Sequence, residues 1–264
     1  MGITTLLVAL TALLYLAAAG MILRRVVNHT SLGVFEYVLA TIGCITHLGF
    51  LLQVIFIAEG QDMSITNVLS LVSWLITVTM IVSARFLPNG LLLPGVYAFA
   101  ALSVIAAGVL PTDYTVHFAV KPGLIAHITL SLMAYGSLCI AFLYAIQMSF
   151  ITHQLKHKGA ALLHSPLPPL MLVESILFKL TIVGTVLLFV SLASGFLFVD
   201  NMFSSQYAHK TVLSILAFLL YCLLLIGQRQ WGWRNRQVIG LTTLGVALLT
   251  LAYFGSRFVR EILL

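Results

Sequence analysis

Residues 176–227 read ILFKLTIVGTVLLFVSLASGFLFVDNMFSSQYAHKTVLSILAFLLYCLLLIG. Two long apolar runs flank a polar bridge that holds Asp200, Asn201, Ser204, Ser205, Gln206, His209 and Lys210. A bilayer core about 30 Å thick is crossed by roughly 20 apolar residues in a helix, whereas a membrane β-strand alternates over about ten. The runs are continuous, so both read as transmembrane helices. Non-helical backbone at membrane depth survives only when buried in protein or lining a wet cavity. The bridge, with Phe198, Phe203 and Tyr207, therefore reads as a cap over a pocket, closed by His209.

The rest of the chain repeats this pattern. Of 264 residues, 61% are hydrophobic and 8% charged, and the mean hydropathy is +1.11, far outside the range of a water-soluble domain. The polar interruptions divide the chain into about eight helices, at 3–23, 34–57, 66–86, 91–110, 123–151, 176–199, 209–227 and 237–258. The fold expected is all-α: a polytopic integral membrane helix bundle, residues 1–264 forming a single transmembrane domain in the lipid bilayer. The longest connection, 152–175, contains three prolines and reads as a rigid, partly extended link. No internal repeat shows at the level of residue identity.

Basic loops stay on the cytoplasmic side. Arg24, Arg25, Arg85, Lys156, Lys158, Arg229, Arg234 and Arg236 fall in the odd-numbered connections, whereas the even-numbered ones hold Lys121 and Lys210 against Glu59, Asp62, Asp113 and Asp200. Both termini are accordingly expected outside. The first span lacks a charged leader region and a small-residue cleavage site, so it reads as retained in the mature protein. The formal charge of +6 belongs largely to the cytoplasmic loops and gives no reason to expect nucleic-acid binding. Cys44, Cys139 and Cys222 are scattered through the spans without a CxxC pair, which argues against thiol redox chemistry.

Histidine carries what chemistry remains. His29, His153, His157 and His164 fall in cytoplasmic connections and His117 in an outer loop, where solvated surface residues are the plain reading. His127 and His209 start the fifth and seventh helices, so the topology brings two imidazoles to one membrane face, with Lys121 and Lys210 close by in sequence. Neutral imidazole is a good axial ligand for haem iron, lysines can pair with propionates, and aromatic side chains accept the porphyrin body. The alternative is that both are amphipathic interface residues. His47 lies mid-span, where an ionisable group is expensive and faces a bundle interior or a cavity. Ala40, Gly43 and Cys44 share its helical face and permit close approach by another helix or a flat ligand. It reads either as a buried ligand or relay, or as a neutral residue bonded to a neighbouring helix.

The eight-span layout combines with LPPLMLVESILFKLTIVGTVLLFVSLASGFLF (167–198), the outer segment ending YAHK (207–210), and LSILAFLLYCLLLIGQRQWGWRNR (213–236). Together they resemble the cytochrome c assembly protein family, most closely the HemX and YpjD branch of its CcsA-like proteins. The likeness covers most of the chain and is strongest from His127 onward. It implies a non-covalent, b-type haem bound by histidines that flank an external segment, which fall on His127 and His209. In some members a transmembrane histidine is also present; here it would be His47. Haem-delivering members carry a Trp-rich external motif with a Trp-Asp pair, whereas FVDNMFSSQYAHK (198–210) contains no Trp and echoes it only through Asp200, Phe203 and Tyr207. Trp74, Trp231 and Trp233 lie elsewhere. Thioether attachment by this chain alone is not expected.

The function that follows is haem binding or handling at the outer face of a bacterial inner membrane, in cytochrome c assembly. His127 and His209 would be the axial ligands, with His47, Lys210, Lys121, Phe203 and Tyr207 contributing. The alternative is an accessory or regulatory membrane subunit that has lost the haem site and stabilises a membrane or periplasmic partner. A small-solute transporter ranks last, since His47, Gln53 and Gln147 are nearly all the polarity its spans offer.

Overall fold

The computed structural model describes residues 2–28, 30–31, 33–55, 61–84, 86–110, 115–116, 122–158, 167–199 and 208–255. Among these residues are eight α-helices: α1 (Ile3–Val27), α2 (Val34–Ile55), α3 (Ile65–Ser83), α4 (Leu93–Val109), α5 (Pro122–Lys158), α6 (Leu170–Phe198), α7 (Ala208–Trp231) and α8 (Arg236–Thr250). A single π-helical turn, Leu251–Gly255, continues α8. Two strands of two residues each, β1 (Gln61–Asp62) and β2 (Thr115–Val116), pair antiparallel with Gln61 opposite Val116. They tie together two connections that hydropathy alone leaves unpaired.

Among the described residues seven helices, α8 being taken together with its π-turn as Arg236–Gly255, are long and apolar enough to cross a membrane, and α4, with 17 residues, is a shorter apolar helix. At 1.5 Å per residue α4 is about 25 Å long, within the lower limit for a span. The helices confirm an all-α membrane protein. Their ends depart from the sequence reading in an instructive way. The proline-rich link is shorter than expected, because α5 runs on to Lys158 and α6 begins at Leu170, directly after its N-cap Pro169. Proline breaks a helix from inside but is tolerated at its start, so nothing after Pro169 prevents the helix from forming. Likewise α1 extends to Val27 and carries Arg24 and Arg25 in its last turn, where cations complement the helix dipole.

The chain divides into two compact units, Met1–Ala119 and Val120–Leu264. In the first, α1 packs on α2, α2 on α3, α3 on α4, and α4 closes back on α1. In the second, α5, α6, α7 and α8 close the same kind of ring.

The interior of the first unit is polar at its centre and apolar toward one end. Phe50, Leu51, Ile55 and Val104 form a buried cluster backed by Leu7, Val8, Trp74 and Ala107. Further along, Tyr15 of α1 stacks on Tyr97 of α4 at a centroid distance of 5.9 Å and stands edge-on to His47 of α2 at 5.8 Å. The Tyr15 ring can sit there because Gly43 has no side chain: a Cβ at that position would lie 3.1 Å from two ring carbons. Ser73 of α3 meets Ser103 of α4 at 2.6 Å, and the Trp74 indole N–H donates to the Cys44 carbonyl at 3.0 Å. With no water in the hydrocarbon core, such groups must pair within the protein. At one rim of the unit the Arg25 guanidinium pairs with the fully buried Glu36 carboxylate and donates from Nη1 to the Ser31 carbonyl at 3.0 Å. Interhelical bonds of the Ser73–Ser103 kind are worth about 0.6 kcal/mol in membranes. Ser73→Ala is therefore expected to lower the thermal midpoint in detergent only slightly, and a drop of ten degrees would show that Ser73 does more than bridge two helices.

Candidate functional site

In the second unit, α5 and α6 pack along their length, and the contact is fastened near the start of α5 by a group of small polar residues. His127 Nδ1 lies 2.9 Å from the carbonyl oxygen of Ser191 and 3.1 Å from Ser194 Oγ. A carbonyl only accepts, so Nδ1 carries the proton and donates to it. In the neutral ring Nε2 then keeps its lone pair.

The surrounding hydroxyls hold this arrangement. Ser194 Oγ donates to the Ser191 carbonyl at 2.8 Å, so that one oxygen receives both the imidazole and the hydroxyl. Ser131, one turn after His127 on α5, donates from Oγ to the His127 carbonyl at 2.7 Å. Its oxygen is left to accept from Ser191 Oγ at 2.6 Å. Each hydroxyl in the group has a defined role, and the imidazole is held by α6 and not by its own helix.

His127 and Ser131 line a cavity of about 130 Å³ together with residues from three other elements. Leu188, Ser191 and Leu192 come from α6, Lys210, Thr211 and Ser214 from α7, and Ala252 and Tyr253 from the π-turn after α8. The π-turn brings Tyr253 against α5. Tyr253 Oη donates to the Ser131 carbonyl at 3.2 Å, and its ring lies 5.2 Å from that of Tyr135. Tyr135 in turn bonds Thr250 Oγ1 at 2.9 Å. One cation, one imidazole and several hydroxyls thus converge on an opening with partly apolar walls, a combination typical of ligand sites.

The residues expected from sequence are distributed unevenly over this geometry. His127 and Lys210 both line the cavity. His209 is the second residue of α7, directly before Lys210, and its side chain is exposed and absent from the cavity lining. His47 belongs to the first unit, fully buried, with Nδ1 3.4 Å from Tyr15 Oη and Nε2 2.8 Å from Ser70 Oγ. Both of its nitrogens have protein partners. Lys121, Phe203 and Tyr207 lie outside the described residues, as do Asp200 and His117. Among the described residues no three His, Cys, Asp or Glu side chains gather as a metal site would require.

Sequence reasoning missed Ser131, Ser191, Ser194, Thr211, Ser214 and Tyr253. A signal for three of them was present, since Ser131 follows His127 by four and Ser191 and Ser194 are three apart in VSLASGF, both helical spacings.

The family model described as Cytochrome C assembly protein matches residues 35–264. The inner membrane protein YpjD of Escherichia coli K12 is 43% identical over 205 residues, 78% of each chain, and that of Escherichia coli O157:H7 is identical to the same degree. The "Uncharacterized 28.8 kDa protein in nifR3-like 5'region" of Azospirillum brasilense is 31% identical over 140 residues, 52% of each chain. No solved structure matches the chain.

Proposed function

Since this chain belongs to the cytochrome c assembly protein family, we propose that it handles haem at the outer face of the bacterial inner membrane, the membrane named for its Escherichia coli relatives. One observation carries the reading: Nδ1 of His127 donates to the Ser191 carbonyl. Metal-ligating imidazoles characteristically donate the second ring N–H to a carbonyl or carboxylate, which fixes the tautomer and orients the ring. His127 is prepared in this way, and Lys210 on the cavity wall supplies the positive charge that a propionate needs.

The fit to haem is partial, and the division is informative. An imidazole nitrogen, a lysine and hydroxyls suit an iron ligand and a propionate. A cavity of about 130 Å³ is smaller than the roughly 300–1,000 Å³ of small-molecule sites, so it accepts an edge and not a whole macrocycle. Phe203 and Tyr207 of the external segment would supply the remaining cover, Lys121 a second propionate partner and His209, exposed at the start of α7, a second imidazole to hold the iron. Bound there non-covalently as a b-type group, haem would supply iron redox chemistry and a cargo for transfer. His127 would ligate, Ser191 and Ser194 would orient it, and Lys210 would anchor charge. His47, in the first unit, has both nitrogens engaged by Tyr15 and Ser70 and would serve as a buried ligand or relay only after exchanging a partner.

The same volume favours a second reading, an accessory subunit that keeps the fold, lacks haem and stabilises a membrane or periplasmic partner. The two are separated by an absorption spectrum of the protein purified in detergent from cells supplied with haem precursor. A low-spin Soret and α/β set is expected; a colourless preparation would overturn the haem reading in favour of the accessory one. Orientation is tested separately, with a C-terminal reporter active only outside the cytoplasm expected to be active.

A further inference from the structure

The turn between α7 and α8 is built more tightly than a loop that merely joins two helices requires. Gly232 adopts φ 63°, and Asn235 adopts φ 50° and ψ −101°, a region that side-chain-bearing residues avoid. Trp233 folds back on α7: its N–H donates to the Gly227 carbonyl at 3.2 Å, and its indole fills the space where a Cβ on Gly227 would lie 2.2 Å away. The rings of Trp231 and Trp233 lie 5.4 Å apart at 32°. Arg234 Nε reaches Glu174 Oε1 on α6 at 3.4 Å, which pins the turn to a third helix. Around this frame Arg229, Arg234 and Arg236 are all exposed. Glu174 is the only acidic residue among the described residues of this unit, so two of the three guanidinium groups face no carboxylate there.

We propose that this turn, from Arg229 to Arg236, is a binding site for the phosphate of an anionic phospholipid headgroup. Guanidinium groups bind phosphate through paired N–H donors, and tryptophan settles at the headgroup level of a bilayer. On one side α7, and on the other α8 together with its π-turn, are long enough to cross the membrane, so the turn between them lies where phospholipid headgroups are the abundant anion. Orienting the chain needs only positive charge. It needs neither two packed indoles nor a residue held at unfavourable φ, and the strain is explained if the turn is shaped for a ligand.

The test uses the full-length chain in nanodiscs of phosphatidylcholine with one fifth phosphatidylglycerol, the lipid retained through purification being measured by native mass spectrometry. Wild-type protein is expected to enrich phosphatidylglycerol over phosphatidylcholine. Arg229→Gln combined with Arg236→Gln leaves the Arg234–Glu174 contact intact and should weaken that preference roughly thirty-fold at low salt, from about one kcal/mol per arginine near the surface. The thermal midpoint of the variant in neutral lipid serves as the folding control. An unchanged preference in the folded variant, or none in the wild type, overturns the proposal. Displacement of the lipid by millimolar inorganic phosphate would overturn it in favour of a free-phosphate site.

Discussion

His127→Ala is expected to abolish the Soret band of the purified protein and to weaken haem retention by at least about a hundredfold, since changes one shell further out already cost 10–100-fold. The fold should survive. His127 is half-buried, and its loss leaves the Ser191 carbonyl still accepting from Ser194 Oγ at 2.8 Å, so the structural cost is about 1 kcal/mol. Graded variants make the prediction sharper. Ser194→Ala preserves the bond from Nδ1 to the Ser191 carbonyl and should lower retention by no more than about tenfold. His209→Ala should convert a low-spin spectrum to a high-spin one while some haem stays bound. A His127→Ala protein with an unaltered spectrum would remove the imidazole from the proposal, whatever other residues contribute.

A large effect on stability is expected at Gly245. A Cβ there would lie 2.5 Å from Tyr221 Cζ and 2.8 Å from its hydroxyl oxygen. Tyr221 is fully buried on α7, so its ring has no free space into which to swing and the two helices would have to separate. Gly245→Val is expected to cost about 3 kcal/mol, at the upper end of core overpacking, and to lower the thermal midpoint by several degrees. Shortening the opposing side chain, as in Gly245→Val with Tyr221→Ala, should return part of that loss, because contacting residues couple. Gly240, five residues earlier, has no atom within 4 Å of a built Cβ, and Gly240→Val should be close to neutral. Equal melting of the two single variants would show that α7 and α8 do not pack through Gly245.

Much of the architecture was legible from hydropathy. Each of the eight runs became a helix, most ends falling within a few residues of the expected positions, and the matched family agrees with the resemblance carried by residues 167–236. Errors came where a helix continued past the apolar stretch. α5 runs seven residues past 151 to Lys158, and α7 runs four residues past 227 to Trp231, because polar residues outside the hydrocarbon extend a helix as readily as apolar ones. The pairing of β1 with β2 is a contact between distant connections and leaves no periodic trace.

The candidate site was legible only in part. His127 stood out because an imidazole at a helix start is rare in so apolar a chain, and Lys210 because it follows His209 directly. That Lys210 lines the cavity while His209 is exposed depends on the rotation of α7, where adjacent residues point about 100° apart. The serines escaped notice because Ser and Thr in membrane helices often only bond their own i−4 carbonyl, as Thr129, Ser137 and Thr181 do here.

Sequence alone determined that the apolar runs are helices and roughly where each lies, since in lipid each segment must satisfy its own backbone and an apolar run of sufficient length has few alternatives. Tertiary structure decided which polar atoms meet: His127 with Ser191, His47 between Tyr15 and Ser70, Arg234 with Glu174. The physical reason is rotational. A soluble helix announces its buried face by its polar one, whereas these helices are apolar nearly all round, so their phase is set by packing against neighbours and not by any pattern along the chain.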